Sequence, residues 1–409
     1  GPRSGLQRYR FAARTPTQAH SAARTPTQAH SAARTPTPAQ AATSHLAART
    51  PTQTEPMQAA TSGTVRLDLG YSRNWDKTVD THLKVIDAYH IAGYRKSTGW
   101  AKDQRVYFYS KLSRPISRWQ LENAGKLLAQ SQPQPPQAQS QSQAPKAPQR
   151  LALKQQGTAL ALEFDVALDN TQELLVHTAI SSVSIDNAKA NLAAEPAVLD
   201  FAALQQDAQQ RWRNELSRIT VTAPEAVKTQ FYTAMYHAAL APRLYSDVDG
   251  RYKGPDGNIR QSPALGGKQV PRYEFFSLWD TFRALHPWLT LVKPSQNNEM
   301  LQSLLAHYRA VGRLPVWSFE GNETDMMLGY HSVPVLVDAY LKGQLNADPQ
   351  ELLQAALHSA RQQEFGLASY QQLGYVPYDD KPTGDRQWNV ALTLEYAFDD
   401  SAIARLAHR

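Results

Sequence analysis

The chain contains no cysteine. That excludes disulfides and thiol chemistry without choosing a compartment. No apolar run approaches the roughly 18 residues of a membrane span. The opening GPRSGLQRYR lacks an apolar stretch of signal-peptide type, so any export signal is expected outside this sequence. Acidic residues and lysine are missing from residues 1–54, which hold seven arginines: Arg3, Arg8, Arg10, Arg14, Arg24, Arg34 and Arg49. The formal net charge of +7 belongs to this arm, because the remainder carries 36 basic against 36 acidic residues. A neutral body argues against a nucleic-acid partner. Gly-rich phosphate cradles, HExxH and GxSxG are also absent, so nothing signals phosphate binding of that type or a nucleophilic serine.

What is present falls into three parts. Residues 1–62 are of low complexity, with AARTPT recurring at 12–17, 22–27, 32–37 and 47–52. With almost no large apolar side chains, such a segment cannot offset the entropy of ordering, and a disordered tail is expected. Residues 63–186 alternate in short runs rich in β-branched and aromatic residues, such as TVRLDLGY, RVYFYSKL and ALALEFDVAL. This spacing predicts an antiparallel β-sandwich, with the Gln/Pro tract 128–150 as a disordered insertion. From residue 187 to 409 the period is helical, with expected helices near 199–217, 333–343 and 393–407. Phe231, Ala234, Met235 and Ala238 share one helical face, as do Met300, Leu301, Leu304, Leu305 and Tyr308. The fold class is α+β. Sequential helices with polar-aromatic ends fit an α/α toroid with a site at one mouth.

Chemistry concentrates between Tyr273 and Tyr340. Trp279, Trp288, Trp317 and Tyr330 stand among Asp280, Arg283, Glu320, Asn322, Glu323, Asp325 and His331, and burying so much polarity is costly unless a network or ligand satisfies it. Rings beside carboxylates suit a polyhydroxylated ligand, and a sugar site is the first reading. On a helix, Asp280 and Arg283 are three residues apart and can form a structural pair. Alternatively, Arg283 orients Asp280 toward substrate hydroxyls, with Trp279 as a wall. EGNETD places three carboxylates within six residues, which repel one another unless a cation, proton or ligand intervenes. Glu323 and Asp325 can equally cap the following helix. His331 alone is more often a core histidine than a ligand. Asp247, Asp249 and Asp256 in SDVDGRYKGPDGN are ordinary turn residues. GYVPYDD and LEYAFDD either line the pocket or cap helices.

FYTAMYHAALAPRLYSDVDGRYKGPDG, FSLWDTFRALHPWLTL, GRLPVWSFEGNETDMMLGYHSVPVLVDAYLKG, GYVPYD and LEYAFDD closely resemble glycoside hydrolase family 92. YHIAGYRKSTGWAKDQRVYFYSKLSRP and SSVSIDNAKANLAAE are similar to that family's β-sandwich domain. The resemblance implies a sandwich packed on an (α/α)6 toroid. It also implies an inverting, calcium-dependent α-mannosidase that trims terminal α-mannosides of N-glycans. Mannose-containing glycans or glycoproteins are then the partners, and a periplasmic or secreted location follows. The implied sugar-holding residues are Trp279, Asp280, Arg283, Glu323, Asp325 and His331. The family's glycine- and histidine-rich opening strands have no counterpart here. Its general-acid glutamate motif, its aspartate pair and its calcium ligands also lack one, and they are expected beyond Arg409. The expectation is a sugar-holding wall that is inactive alone. The alternative is a non-catalytic carbohydrate-binding protein retaining part of the pocket.

Overall fold

Among the described residues, ten strands precede the first helix. The computed structural model describes residues 3–11, 61–72, 76–131, 153–195, 199–265, 267–380 and 388–409. The strands are β1 (Ser4–Arg10), β2 (Ser62–Asp68), β3 (Lys77–Asp87), β4 (His90–Thr98), β5 (Gln104–Leu112), β6 (Ile116–Asn123), β7 (Lys126–Gln130), β8 (Leu153–Gly157), β9 (Leu160–Ala167) and β10 (Glu173–Ser181). They form an antiparallel six-stranded sheet in the order β1-β10-β5-β4-β3-β8 and a four-stranded sheet in the order β2-β9-β6-β7.

Alternation explains how the sheets stack. In β9, Leu160, Leu162, Phe164 and Val166 turn into the core. Asp165 turns outward to Arg118 at 2.9 Å and Thr64 at 2.6 Å. Leu83, Val85, Ile91, Phe108 and Leu112 face them from the other sheet. Each such aliphatic side chain contributes about 1.5–3 kcal/mol by burial.

Two expectations need correction. The tail is not disordered throughout residues 1–62: Ser4–Arg10 pairs along β10, from Ser4↔Ala179 to Arg10↔Glu173. SGLQRYR precedes the repeat and differs from it. Its backbone satisfies the edge of β10, while Arg10 pairs with Glu173 at 2.7 Å and Arg8 lies 4.2 Å from the Phe201 ring. The insertion also begins later than residue 128, because Lys126–Gln130 is a strand on β6. The repeats at 12–60 and most of the Gln/Pro tract lie outside the described residues.

Helix α1 (Ile185–Ala193) is capped by Ser184, whose Oγ accepts from Asn187 N. Ala188 packs on Ala92 and Tyr109, on the six-stranded sheet. Asn187 donates to Asp249 at 3.0 Å and Asn191 to Asp247 at 2.7 Å. The SDVDG loop is thereby fastened to the sandwich.

The helical half is part of an (α/α)6 toroid. It comprises α2 (Phe201–Leu216), α3 (Glu225–Ala238), α4 (Leu278–Thr281), α5 (Leu285–Val292), α6 (Pro294–Val311), α7 (Ser332–Leu341), α8 (Pro349–Ala360), α9 (Leu367–Leu373) and α10 (Asn389–Ala407). Its core gathers Leu301, Leu304 and Leu305 of α6, Val333 and Leu336 of α7, Leu352 of α8, and Leu392 and Ile403 of α10. Helix α6 starts with Pro294 and stops at Gly312 in the left-handed region, where only glycine enters without a steric penalty. Of the four residues expected to share a face of α3, only Met235 is buried. The α10 stripe of Val390, Leu394 and Phe398 is exposed, Leu394 at 66%. No described helix is long and apolar enough to cross a membrane.

Candidate functional site

A two-residue ladder assembles the site. Phe276–Ser277 pairs with Trp317–Ser318, in the register Phe276↔Ser318 and Ser277↔Trp317. The segment FSLWD is thereby held against VWSFEGN, 40 residues later in the chain. Trp279 and Asp280 are exposed just past the ladder, on α4, and Asp280 accepts from Ser277 Oγ. Glu323 accepts from Val316 N (2.8 Å), Trp317 N (3.0 Å) and Asp325 N (2.8 Å). The ladder ties both carboxylates to neighbouring residues.

The sandwich completes this seam. Trp100 stacks on Phe319 (5.2 Å, 28°) and tilts against Trp317 at 4.7 Å. Asn322 donates Nδ2 to Asp103 O at 3.0 Å, and its Oδ1 accepts from Asp103 N at 3.1 Å. Lys253, 1% exposed, donates to Gly321 O at 2.9 Å and lies 3.7 Å from the Asp103 carboxylate. Trp100 and Asp103 were not among the residues expected at the site. Their signal was the GWAKD segment at the foot of a strand.

Of the three carboxylates of EGNETD, Glu320 turns away, while Glu323 and Asp325 share the Arg313 guanidinium, which lies 4.0 Å from Glu323. Glu323 is consumed by backbone N–H groups, and burial, then Asp325, raises its pKa. Asp325 pairs with Arg313. Glu320 faces a cavity between the two halves, and burial, then Glu274, pushes its carboxyl up to about 7. Phe275, Glu320, Asp325 and Met327 all have positive φ, between 50° and 73°. Such strain in non-glycine residues concentrates where surrounding structure enforces it, often at functional sites.

Asp280 and Arg283 do not pair. Arg283 instead donates to both oxygens of Glu395 at 2.9 and 3.0 Å. Glu395 also lies 3.5 Å from His331 Nε2, and His331 Nδ1 meets Asp399 at 2.7 Å. The His331 ring stacks on Phe282 at 3.9 Å and 9°. Asp399 accepts from Tyr330 N at 2.7 Å, and burial raises its pKa despite these bonds. Tyr330 donates its hydroxyl to Asp400 at 2.6 Å. LEYAFDD therefore supplies the anchors of the preceding segment from α10. Beside it, a cavity of about 190 Å³ is lined by Met326, Met327, Trp388 and Tyr396, with Arg313 and Asp325 on its wall.

Two domain descriptions match the chain: Glycosyl hydrolase family 92 N-terminal domain over residues 1–181 and Glycosyl hydrolase family 92 catalytic domain over 187–409. The chain belongs to glycosyl hydrolase family 92. Among solved structures of family 92 proteins, the alpha-mannosidase BT3965 from Bacteroides thetaiotaomicron is 33% identical, with a TM-score of 0.74. The match covers 85% of this chain and 44% of that one, so the chain spans less than half that relative's length. BT3965 in complex with mannoimidazole matches at the same identity and TM-score, over 85% and 43%. The inverting mannosidase BT2199 from Bacteroides thetaiotaomicron VPI-5482 is 26% identical over 84% of this chain and 43% of its own, at a TM-score of 0.69. No curated protein matches the chain.

The donor sets do not suit calcium, the ion that the resemblance implies. Among the described residues no three acids or histidines are grouped as a metal would require. Arg313 already answers Glu323 and Asp325 of EGNETD, and Asp247 and Asp249 are bonded to asparagines. The described residues do not fit a calcium ion.

Proposed function

We propose that the chain provides the sugar-holding wall of an α-mannosidase-type glycoside hydrolase for terminal α-mannosides of N-glycans, and that it does not cleave them by itself. The observation carrying this reading is the ladder that pairs Ser277, just before Trp279 and Asp280 in the chain, with Trp317, whose ring meets Trp100 of the sandwich. Indole faces take the C–H face of a pyranose, and an exposed carboxylate takes its hydroxyls. Trp279 and Asp280 would touch the sugar. Glu323 braces the ladder, Asp325 is held by Arg313, and the run Arg283–Glu395–His331–Asp399 stiffens the floor.

Inverting cleavage needs a carboxylic acid and a carboxylate about 6.5–9.5 Å apart, one protonating the leaving oxygen and one activating water. Glu323 spends its oxygens on three backbone groups, and Glu395 and Asp399 spend theirs on Arg283, His331 and Tyr330. The exposed Trp279 and Asp280 also favour the second reading, carbohydrate binding without turnover.

The test is mannose release from α-1,2-mannobiose or an aryl α-mannoside with calcium present. We expect none above background. Turnover abolished by EDTA and by Glu323→Gln would refute the division between holding and cleaving.

A further inference from the structure

Helix α10 has two apolar faces. One is the exposed stripe of Val390, Leu394 and Phe398. The other, formed by Trp388, Leu392 and Tyr396, is offset from it by two residues and so turns the opposite way. This inner face is one wall of the cavity of about 190 Å³. Leu314 and Val316 supply a second wall, Met326 and Met327 a third, and Phe365 and Leu367 of the connection from α8 to α9 a fourth.

Most hydrogen-bonding side chains on these walls are bonded within the protein. Tyr330 donates to Asp400 at 2.6 Å and Tyr396 to Phe365 O at 2.7 Å. Ser359 donates to Ala355 O at 3.1 Å and Gln362 to His358 O at 2.8 Å. Arg313 and Asp325 pair with each other. The surface left for a ligand is chiefly apolar. Three lining residues, Asp325, Met327 and Phe365, have φ of 50°, 73° and 57°. Non-glycine residues stay in that region only where their surroundings enforce it, and such strain gathers at ligand clamps and active sites. Here Arg313 holds Asp325, and the Tyr396 hydroxyl holds the Phe365 carbonyl. The same bonds resist collapse of the void.

A void forfeits dispersion contacts along its walls, and a fitting ligand restores them. A dry apolar cavity of about 150 Å³ takes benzene. At about 190 Å³ this one has room for a substituted or fused ring. We propose that the cavity binds one uncharged aromatic ring system, of phenol to indole size. Met326 and Met327 offer thioether sulfurs to its edge, and Trp388 and Phe365 offer rings to pack against it, which favours an aromatic over a saturated ring. A charged ligand would lose its hydration against walls whose own charges are paired. A sugar would leave hydroxyls without partners there, which separates this cavity from the sugar wall.

The test is calorimetric titration of the whole chain with phenol, indole and cyclohexanol. Phenol or indole should bind at least about tenfold more tightly than cyclohexanol. Its presence should raise the melting temperature in proportion to the logarithm of its concentration. Leu392→Phe, which fills the void from α10, should weaken the aromatic ligand at least about tenfold. Met326→Ala, which widens the void, should shift the balance toward indole over phenol by about fourfold. Absence of binding by both aromatics would overturn the proposal. So would cyclohexanol binding as tightly as they do, or affinities unmoved in the variants that fold.

Discussion

Asn322 and Asp103, 219 residues apart, exchange two hydrogen bonds through the Asn322 amide and the Asp103 backbone. One side chain thus welds the EGN loop to the sandwich. Asn322→Ala should cost about 1–3 kcal/mol, since it strands a backbone donor and acceptor in a partly buried seam. Asp103→Ala keeps both backbone groups and should leave that link intact. Urea midpoints of the two variants test the distinction, and equal losses that leave Asn322 bonding unperturbed by NMR would contradict it.

Removing the Asp399 carboxylate should be far more damaging. It is fully buried and holds His331 Nδ1 and Tyr330 N. Asp399→Ala should destabilise by about 3–5 kcal/mol, the range for breaking a buried charged pair. Arg283→Ala, at an exposed end of the same run, should cost less than about 1 kcal/mol. Thermal denaturation of both variants supplies the comparison.

The pH dependence has a definite sign. Burial, then Glu274, pushes the Glu320 carboxyl from its ordinary 4.5 up to about 7 on folding, so the native state binds more protons than the unfolded chain across that window. Stability should therefore fall as pH rises from about 4.5 to 7. Glu320→Gln should remove on the order of 1–2 kcal/mol of that slope, discounted because the side chain lines an open cavity. Denaturant unfolding at pH 5 and pH 7.5 reads the difference directly.

Helix α10 carries Val390, Leu394 and Phe398 at four-residue spacing on an exposed stripe, and Leu291 of α5 is 79% exposed. A stripe of this kind invites self-association. Leu394→Glu should increase the monodisperse fraction in light scattering without lowering the melting temperature. An unchanged or larger aggregate fraction would count against this reading.

Much of this architecture was legible in the sequence because period reports burial. The alternation of β9 and the i, i+4 pattern of α6 predicted the faces that pack. The α3 pattern misled, because apolar spacing states what a helix offers, not whether a neighbour covers it. β1 was hidden because its composition was read together with the adjoining repeat. At the site, the crowding of acids and rings in 273–340 marks a segment that meets the sandwich through Phe319 and Asn322, but local spacing did not reveal the partners. Arg283 chose Glu395 over Asp280, and His331 chose Asp399, across distances that local spacing cannot reveal. Trp100 entered only once the two halves were seen together.

The central proposal is that Trp279 and Asp280, which follow the Ser277↔Trp317 pair on α4, grip a single mannose ring. Calorimetric titration of the whole chain with methyl α-mannoside, set against Asp280→Asn and Trp279→Ala, tests it most directly. We predict measurable binding that falls about tenfold or more in each variant. Binding of equal strength in all three proteins would contradict the account.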